Sequence, residues 1–262
     1  MPVKTRPAFK PVGLVDEAGK MFSIGLESVH TVLRRPWPLQ EFLEQMWFLI
    51  KVTSVPVVLI SIPFGMVISL QVGSFATQIG AQAHIGAAMV LAVVREEAPV
   101  ATALLIAGAG GSAMCADLGS RRIRDEIDAM EVLGIDPMHR LIMPRVFAAM
   151  FVAILLDAIV SVAGIAGGYF FAVVVQHGTT SSYFASFNEL SQLPDLYMAL
   201  MKAAVFGFVG GMVACYKGFY ARGGPKGVGD AVNQAVVVTF LLLFFLNFIL
   251  TALYFNFVPQ KF

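Results

Sequence analysis

VTSVPVVLISIPFGMVISLQVGSFATQIGAQAHIGAAMVLAVV, residues 52–94, contains no Asp, Glu, Lys or Arg. A helix crosses the hydrocarbon core of a bilayer in about 20 apolar residues. The stretch is therefore too long for one crossing and suits two joined by a tight hairpin. Its middle, Gly73 to Gly86, collects Gly, Ser, Thr, Gln and His84, residue types that favour turns. Span 1 is expected near 50–72, with Lys51 at its inner edge. Span 2 is expected near 86–113 and carries Arg95, Glu96 and Glu97 inside it.

Outward from this stretch the same pattern recurs. Residues 146–174 are apolar apart from Asp157, 196–216 contain Lys202, and 231–258 carry no charge. Hydrophobic residues make up 58% of the 262 and charged ones 13%, with a mean hydropathy of +0.78. A soluble domain carries roughly 25% charged residues, and so apolar a chain would expose large patches in water. The expectation is an all-α polytopic membrane protein with about five transmembrane helices. A net charge of +1 offers no basic field for nucleic acid.

Basic residues outside the spans set the orientation. Fourteen lie on one side: Lys4, Arg6, Lys10, Lys20, Arg34, Arg35, Arg121, Arg122, Arg124, Arg140, Arg145, Lys217, Arg222 and Lys226. The other side has Lys261 alone. Cations are retained in the cytoplasm, so the N-terminus is expected inside and the C-terminus outside. The first 20 residues lack the apolar core of a cleavable signal peptide.

Between Leu14 and Leu33, apolar residues at Ala18, Met21, Phe22, Val29 and Val32 fall near helical spacing. This suits a helix lying in the membrane interface; a packed cytoplasmic helix hairpin is the other reading. Arg34 to Pro38 breaks it, with Trp37 at aromatic-belt depth, and a short helix from Leu39 leads into span 1.

Between spans 2 and 3, Arg121 to Leu133 reads as one amphipathic helix. Ile123, Ile127, Met130 and Leu133 form an apolar stripe, flanked by Arg121, Arg122, Arg124, Asp125, Glu126, Asp128 and Glu131. Gly134 is placed to end it, and Asp136-Pro137 starts another turn. Such a helix either docks its stripe in the groove of a cytoplasmic partner or lies flat on the headgroups.

Other polar features are weaker. Cys115 and Cys215 fit buried thiols, with neither a metal spacing nor a disulfide framework. Residues 222–229 look superficially like a phosphate loop but lack its Lys-Ser/Thr pair and a preceding strand, and read as a tight turn. Gly108, Gly110, Gly111, Gly164, Gly167 and Gly168 permit close helix contact. Asp157 and Lys202 suit a mutual ion pair, structural or transport-related. His30, His84, His139 and His177 are scattered, and no Ser/His/Asp set suggests covalent catalysis. Neighbours on a helix point about 100° apart, so Arg95, Glu96 and Glu97 cannot share one face. They form either a structural ion-pair network or a polar point on a translocation path. Phe64, Leu70, Phe248 and Tyr254 offer that path apolar and aromatic walls suited to a long-chain lipid.

The run GSAMCADLGSRRIRDEIDAMEVLGIDPMHRLIMPR at 111–145, the motif Arg95-Glu96-Glu97-Ala98-Pro99-Val100 and the segment YKGFYARGGPKGVGDAVNQAVV at 216–237 resemble signatures of the MlaE/YrbE permease family. The wording is most similar to actinobacterial YrbE proteins of mammalian-cell-entry (Mce) systems. The likeness covers residues 12–258 and implies one permease domain: interfacial helices over 12–49, a five-span core over 50–258 and a coupling helix over 118–137. It departs at Glu96-Glu97, where many relatives carry a single acid. The resemblance implies a dimer of YrbE-type subunits in the inner membrane, two cytoplasmic ABC ATPases that hold ATP and magnesium, and extracytoplasmic Mce proteins. It implies movement of phospholipids, fatty acids or sterols, generally as import, with no catalytic residue, metal or cofactor in this chain. Arg121, Arg122, Ile123, Arg124, Glu126, Ile127, Met130, Glu131 and Leu133 inherit ATPase coupling. Competing functions are an ion-coupled secondary transporter, which usually shows an internal repeat, and a membrane enzyme modifying lipids.

Overall fold

The computed structural model describes residues 11–32, 36–81 and 84–257. Lys4, Arg6, Lys10, Leu33, Arg34, Arg35 and Lys261 lie outside them. The described residues form helices and connecting turns with no strand, as expected of an all-α membrane protein. In chain order the helices are α1 (Pro11–Thr31), α2 (Leu39–Gln78), α3 (85–123), α4 (Glu126–Val132), α5 (Met138–Val175), α6 (Thr180–Leu190), α7 (Leu193–Phe219) and α8 (Gly224–Phe257).

Four of these, α2, α5, α7 and α8, are long and apolar enough to cross a membrane. α3, where a further span was expected, runs beside them as one continuous helix but is charged at its centre. Wider π turns interrupt it at Val90–Glu97 and Ile106–Gly110. The passes alternate in direction. On α7, Gly207 sits against Ala149 and Ala153 while Gly211 sits against Val146, so α7 runs antiparallel to α5. Lys202 meets Glu96 and Gly218 meets Cys115, so α7 is parallel to α3. Lys202 also meets Thr251, and Lys217 meets Gln234, which makes α8 antiparallel to α7.

Close backbone approach holds α2 to α5. A Cβ on Gly65 would come within 2.0 Å of the Gly164 carbonyl oxygen, and one on Gly167 within 2.3 Å of the Ile62 oxygen. Small residues let membrane helices meet this way, as expected for Gly164, Gly167 and Gly168. Gly108 does not share the role, because a Cβ there would meet nothing within 4 Å.

Hydropathy placed the passes but understated their lengths. The short helix expected from Leu39 is continuous with span 1, so α2 reaches Gln78, and the first hairpin shrinks to the residues around Gly80. The turn expected over 222–229 is shorter too, since α8 begins at Gly224. The connection 175–195 holds α6, which its polar TSSYFASFNEL sequence conceals.

α1 is two-faced. Met21 and Ile24 are buried against Val213 and Tyr216 of α7, while Phe22, Leu26 and Val29 are exposed. Lys217 donates to Glu17 and fastens the helix to the bundle. Trp37 is partly exposed, and its indole N–H donates to the Val32 carbonyl at 2.7 Å.

Candidate translocation groove and coupling face

The polar motif of α3 spreads in three directions. Lys202 of α7 is buried, its side chain 2% exposed. An ammonium has three N–H donors, and all three are used. They reach Glu96 Oε1 at 2.9 Å, Thr251 Oγ1 at 2.7 Å and the Arg95 carbonyl at 3.1 Å. That carbonyl is available for a chemical reason. Its usual helical donor is the N–H four residues on, and Pro99 has none. Glu96 also accepts from Thr251 Oγ1 and Asn247 Nδ2, each at 3.0 Å.

Arg95 turns the other way. Its Nε lies 2.7 Å from Asp195 Oδ1, and its guanidinium stands 5.7 Å from the ring centroid of Tyr254, whose hydroxyl donates to the same carboxylate. Asp195 in turn accepts from the Gln192 N–H at the start of α7. The expected Asp157–Lys202 ion pair is not formed. Asp157 is buried on α5 with Oδ1 lacking a hydrogen-bond partner, because acceptors on α3 and α8 have saturated the ammonium.

Glu97 points toward α5. It is 6% exposed, neither carboxyl oxygen has a hydrogen-bond partner, and Gly164 leaves it room: a Cβ there would lie 3.2 Å from Oε2. Glu96 and Glu97 together border a groove of about 500 Å³ between α2 and α3. Its remaining walls include Ile60, Phe64 and Ile68 of α2 and Val100 and Leu104 of α3.

Among the residues expected on a translocation path, Phe64, Glu96 and Glu97 line this groove. Arg95 and Tyr254 instead form the cluster with Asp195, and Leu70 is exposed on α2 without lining the groove. Ile60, Ile68, Val100 and Leu104 were missed. Their signal lay in steps of four, 60-64-68 and 96-100-104, which place residues on one helical face.

At the other end of the bundle the single helix expected over 121–133 is broken. α3 runs on to Ile123, Asp125 adopts a left-handed φ of 57°, and α4 starts at Glu126. The expected stripe is consequently split. Ile127 is fully buried and Met130 half-buried, packed with Leu118, Leu141, Ile142 and Tyr216 of this chain. Val132 and Leu133 are 88% and 74% exposed, joined by Ile123 and Ile135. Gly134, with a φ of 74°, ends this segment as expected, and Asp136 Oδ1 accepts from the Met138 N–H at 2.9 Å.

Ion pairs brace the break. Arg121 meets Asp117 at 3.4 Å, Arg124 meets Glu126 at 2.7 Å, and Arg122 pairs with Asp128, while Glu131 is exposed. Beneath them Arg145 is wholly buried. It holds Asp117 at 2.7 Å and Glu41 at 3.3 Å, and donates to the Leu141 carbonyl at 2.9 Å. The face thus has a rigid base and an exposed apolar edge.

Comparison with known proteins agrees with this architecture. Residues 42–253, which run from the start of α2 into the end of α8, match the family described as Permease MlaE. A probable ABC transporter permease protein of Rickettsia bellii is 32% identical over 248 residues, covering 94% of this chain and 95% of its own. A probable ABC transporter permease protein of Synechocystis is 36% identical and covers 78% of each chain. The chloroplastic protein TRIGALACTOSYLDIACYLGLYCEROL 1 of Arabidopsis thaliana is 32% identical over 192 residues, covering 73% of this chain and 55% of its own. This multi-pass membrane protein belongs to the MlaE permease family.

Proposed function

We propose that the chain is the membrane subunit of an ATP-driven importer of long-chain lipids, working as one of two such subunits. ATP and magnesium are bound by a separate cytoplasmic ABC ATPase, and this chain hydrolyses nothing. The observation that carries the reading is the groove between α2 and α3, whose walls are apolar except at two carboxylates. Such a wall suits an acyl chain or ring system and offers a sugar or amino acid little to bond. The relatives named as ABC transporter permeases support the ATPase partner, and the Arabidopsis relative bears the name of a glycolipid. The basic asymmetry of the loops supports an inner-membrane topology with a cytoplasmic N-terminus and an extracytoplasmic C-terminus. Mce-type proteins on the outer side are the expected source of cargo.

Coupling to the ATPase is assigned to the exposed edge of residues 123–135, with Arg121, Arg122, Arg124, Glu126 and Glu131 fixing the register. Ile127 and Met130 support that edge from below and do not themselves dock. Leu133→Asp is expected to leave expression and monodispersity intact while ATPase co-purification falls at least tenfold. Ile127→Asp buries a carboxylate without a partner and is expected to destabilise the fold by on the order of 4 kcal/mol. Unchanged ATPase capture by the Leu133 variant would place the contact elsewhere.

The whole reading is tested by extracting the complex and identifying its subunits and bound small molecules by mass spectrometry. An ABC ATPase and a long-chain lipid are expected. Absence of the ATPase, or a polar solute in place of lipid, overturns it.

A further inference from the structure

We infer that Arg145 is a strut for coupling: it carries displacement of the exposed edge at 123–135 into α2 and α5, around a pliant turn of α3 that would otherwise absorb it. The inference rests on that edge being where the ATPase docks. It goes beyond that reading by naming the positioning side chain through which a load on the edge reaches the groove walls.

Along α3 one short stretch separates the groove from the edge. The groove ends at Leu104 and Leu105, and the π turn Ile106–Gly110 follows directly. Helices kink at π turns and at glycine. This turn holds Gly108 and Gly110, with Gly111 next. A Cβ on Gly108 would meet nothing within 4 Å, so no neighbouring helix props that side. Beyond the turn α3 runs on to Ile123. A load on the edge would therefore bend α3 at 106–111 before it moved the groove wall.

Arg145 bypasses this weak point. Asp117 lies between the turn and the edge; its Oδ1 meets Arg121 at 3.4 Å and its Oδ2 meets Arg145 Nη2 at 2.7 Å. The same Nη2 reaches Glu41 in the first turn of α2 at 3.3 Å, and Nη1 donates to the Leu141 carbonyl of α5 at 2.9 Å. Gln45 donates to the same Glu41 oxygen at 3.0 Å and holds it in place. The Arg145 side chain is 0% exposed, and stripping a buried cation of its anions is costly. One guanidinium thus ties the end of α3 to α2 and α5. These two carry the load onward, because they meet backbone to backbone at Gly65 and Gly164, next to Phe64 in the groove wall.

The test uses the full chain in lipid nanodiscs, spin-labelled at Leu91→Cys and Ala116→Cys, both exposed positions of α3. Cys115 and Cys215 are buried and leave those positions to take the label. The labels lie roughly 37 Å apart along the helix and straddle the turn. Their distance distribution is expected to be narrow in the wild-type background. Glu41→Gln weakens the strut at an end whose side chain is 17% exposed, and should at least double the width; Asp117→Asn should do the same. Amide exchange in both variants should rise at least tenfold over 106–111 and stay within twofold over 180–200. A side chain that only stabilised the fold would raise exchange in both segments and leave the label distance unaltered.

A distribution as narrow in both variants as in the wild type, or an equal rise of exchange in the two segments, overturns the strut. The complex with its ATPase tests the load: ATP should leave the label distance unchanged in the wild type and shift it in Glu41→Gln. A shift in the wild type, or none in either, overturns transmission through Arg145. Absence of an ATPase from the extracted complex overturns the proposed function instead, while the isolated chain still reports whether Arg145 braces α3.

Discussion

Lys202→Met is expected to lower the thermal midpoint of the purified protein by roughly 10 °C, followed by fluorescence-detected size exclusion after heating. The substitution keeps the length and apolar stem of the side chain and removes only the ammonium. Glu96 then loses its cation, while Thr251 Oγ1 and the Arg95 carbonyl lose a donor. Removing one partner of a buried pair costs about 3–5 kcal/mol. Because the Glu96 side chain is 42% exposed, solvent softens the loss, and about 3 kcal/mol is expected. Glu96→Gln leaves the opposite fault, a buried ammonium without its carboxylate, and should cost a similar amount. The double variant removes both charges and should recover more than half of the combined loss, as coupled neighbours do. Additive losses in the double variant would mean that the two side chains act independently and that the central cluster is not a unit.

Gly65→Ala is expected to eliminate monodisperse protein. The added methyl would lie 2.0 Å from the Gly164 carbonyl oxygen and 2.9 Å from its Cα. Backbone on the facing helix has no rotamer with which to retreat, so α2 and α5 must separate over the stretch that also carries the contact of Gly167 with Ile62. A loss above 4 kcal/mol is expected on the grounds that govern severe core overpacking. Gly108→Ala is the matched control. It sits in α3 with nothing within 4 Å of the added methyl, and alanine improves helix propensity by about 1 kcal/mol. Its midpoint should hold or rise. Wild-type behaviour of Gly65→Ala would show that the two helices are held apart by more than the close approach allows.

Much of the fold was legible because bilayer solvation acts on long sequence windows. The charge-free run from Val52 to Val94 is too long for a single crossing, and residues 231–258 contain no charge. Helix ends were less legible, because a helix need not stop where hydrocarbon stops. A helix was expected to begin at Leu39, but not to run without a break through span 1 and on to Gln78. The break at Arg124 and Asp125 carried no Gly or Pro to announce it; a left-handed aspartate does the work usually given to glycine. Splitting the 121–133 segment there rotates Ile127 into the bundle and leaves Leu133 outside.

Side-chain partnerships were the least legible. Lys202 and Asp157 were matched as charged residues of neighbouring spans, but sequence does not show that Pro99 frees a carbonyl beside Glu96. The groove could be inferred only in part, since it needs stripes from α2 and α3, each of which is seated on α5 through glycine contacts. The fan of Arg95, Glu96 and Glu97 followed from helical geometry alone. Its three destinations did not.

The two faces of α1 give the bundle a waterline. The helix is fastened across the end of α7 through Met21, Ile24 and the Glu17–Lys217 pair, while Phe22, Leu26 and Val29 remain bare on the opposite side. In a bilayer that bare stripe seeks the boundary between headgroups and acyl chains, and Trp37 seeks the same level. A membrane-spanning bundle alone is free to ride higher or lower by several ångströms as bilayer thickness changes. One with a float fixed to its side is not. Thinning or thickening of the membrane should then be taken up at the far end, around the first hairpin and α6, while the α3–α4 edge keeps its height relative to the leaflet that holds α1.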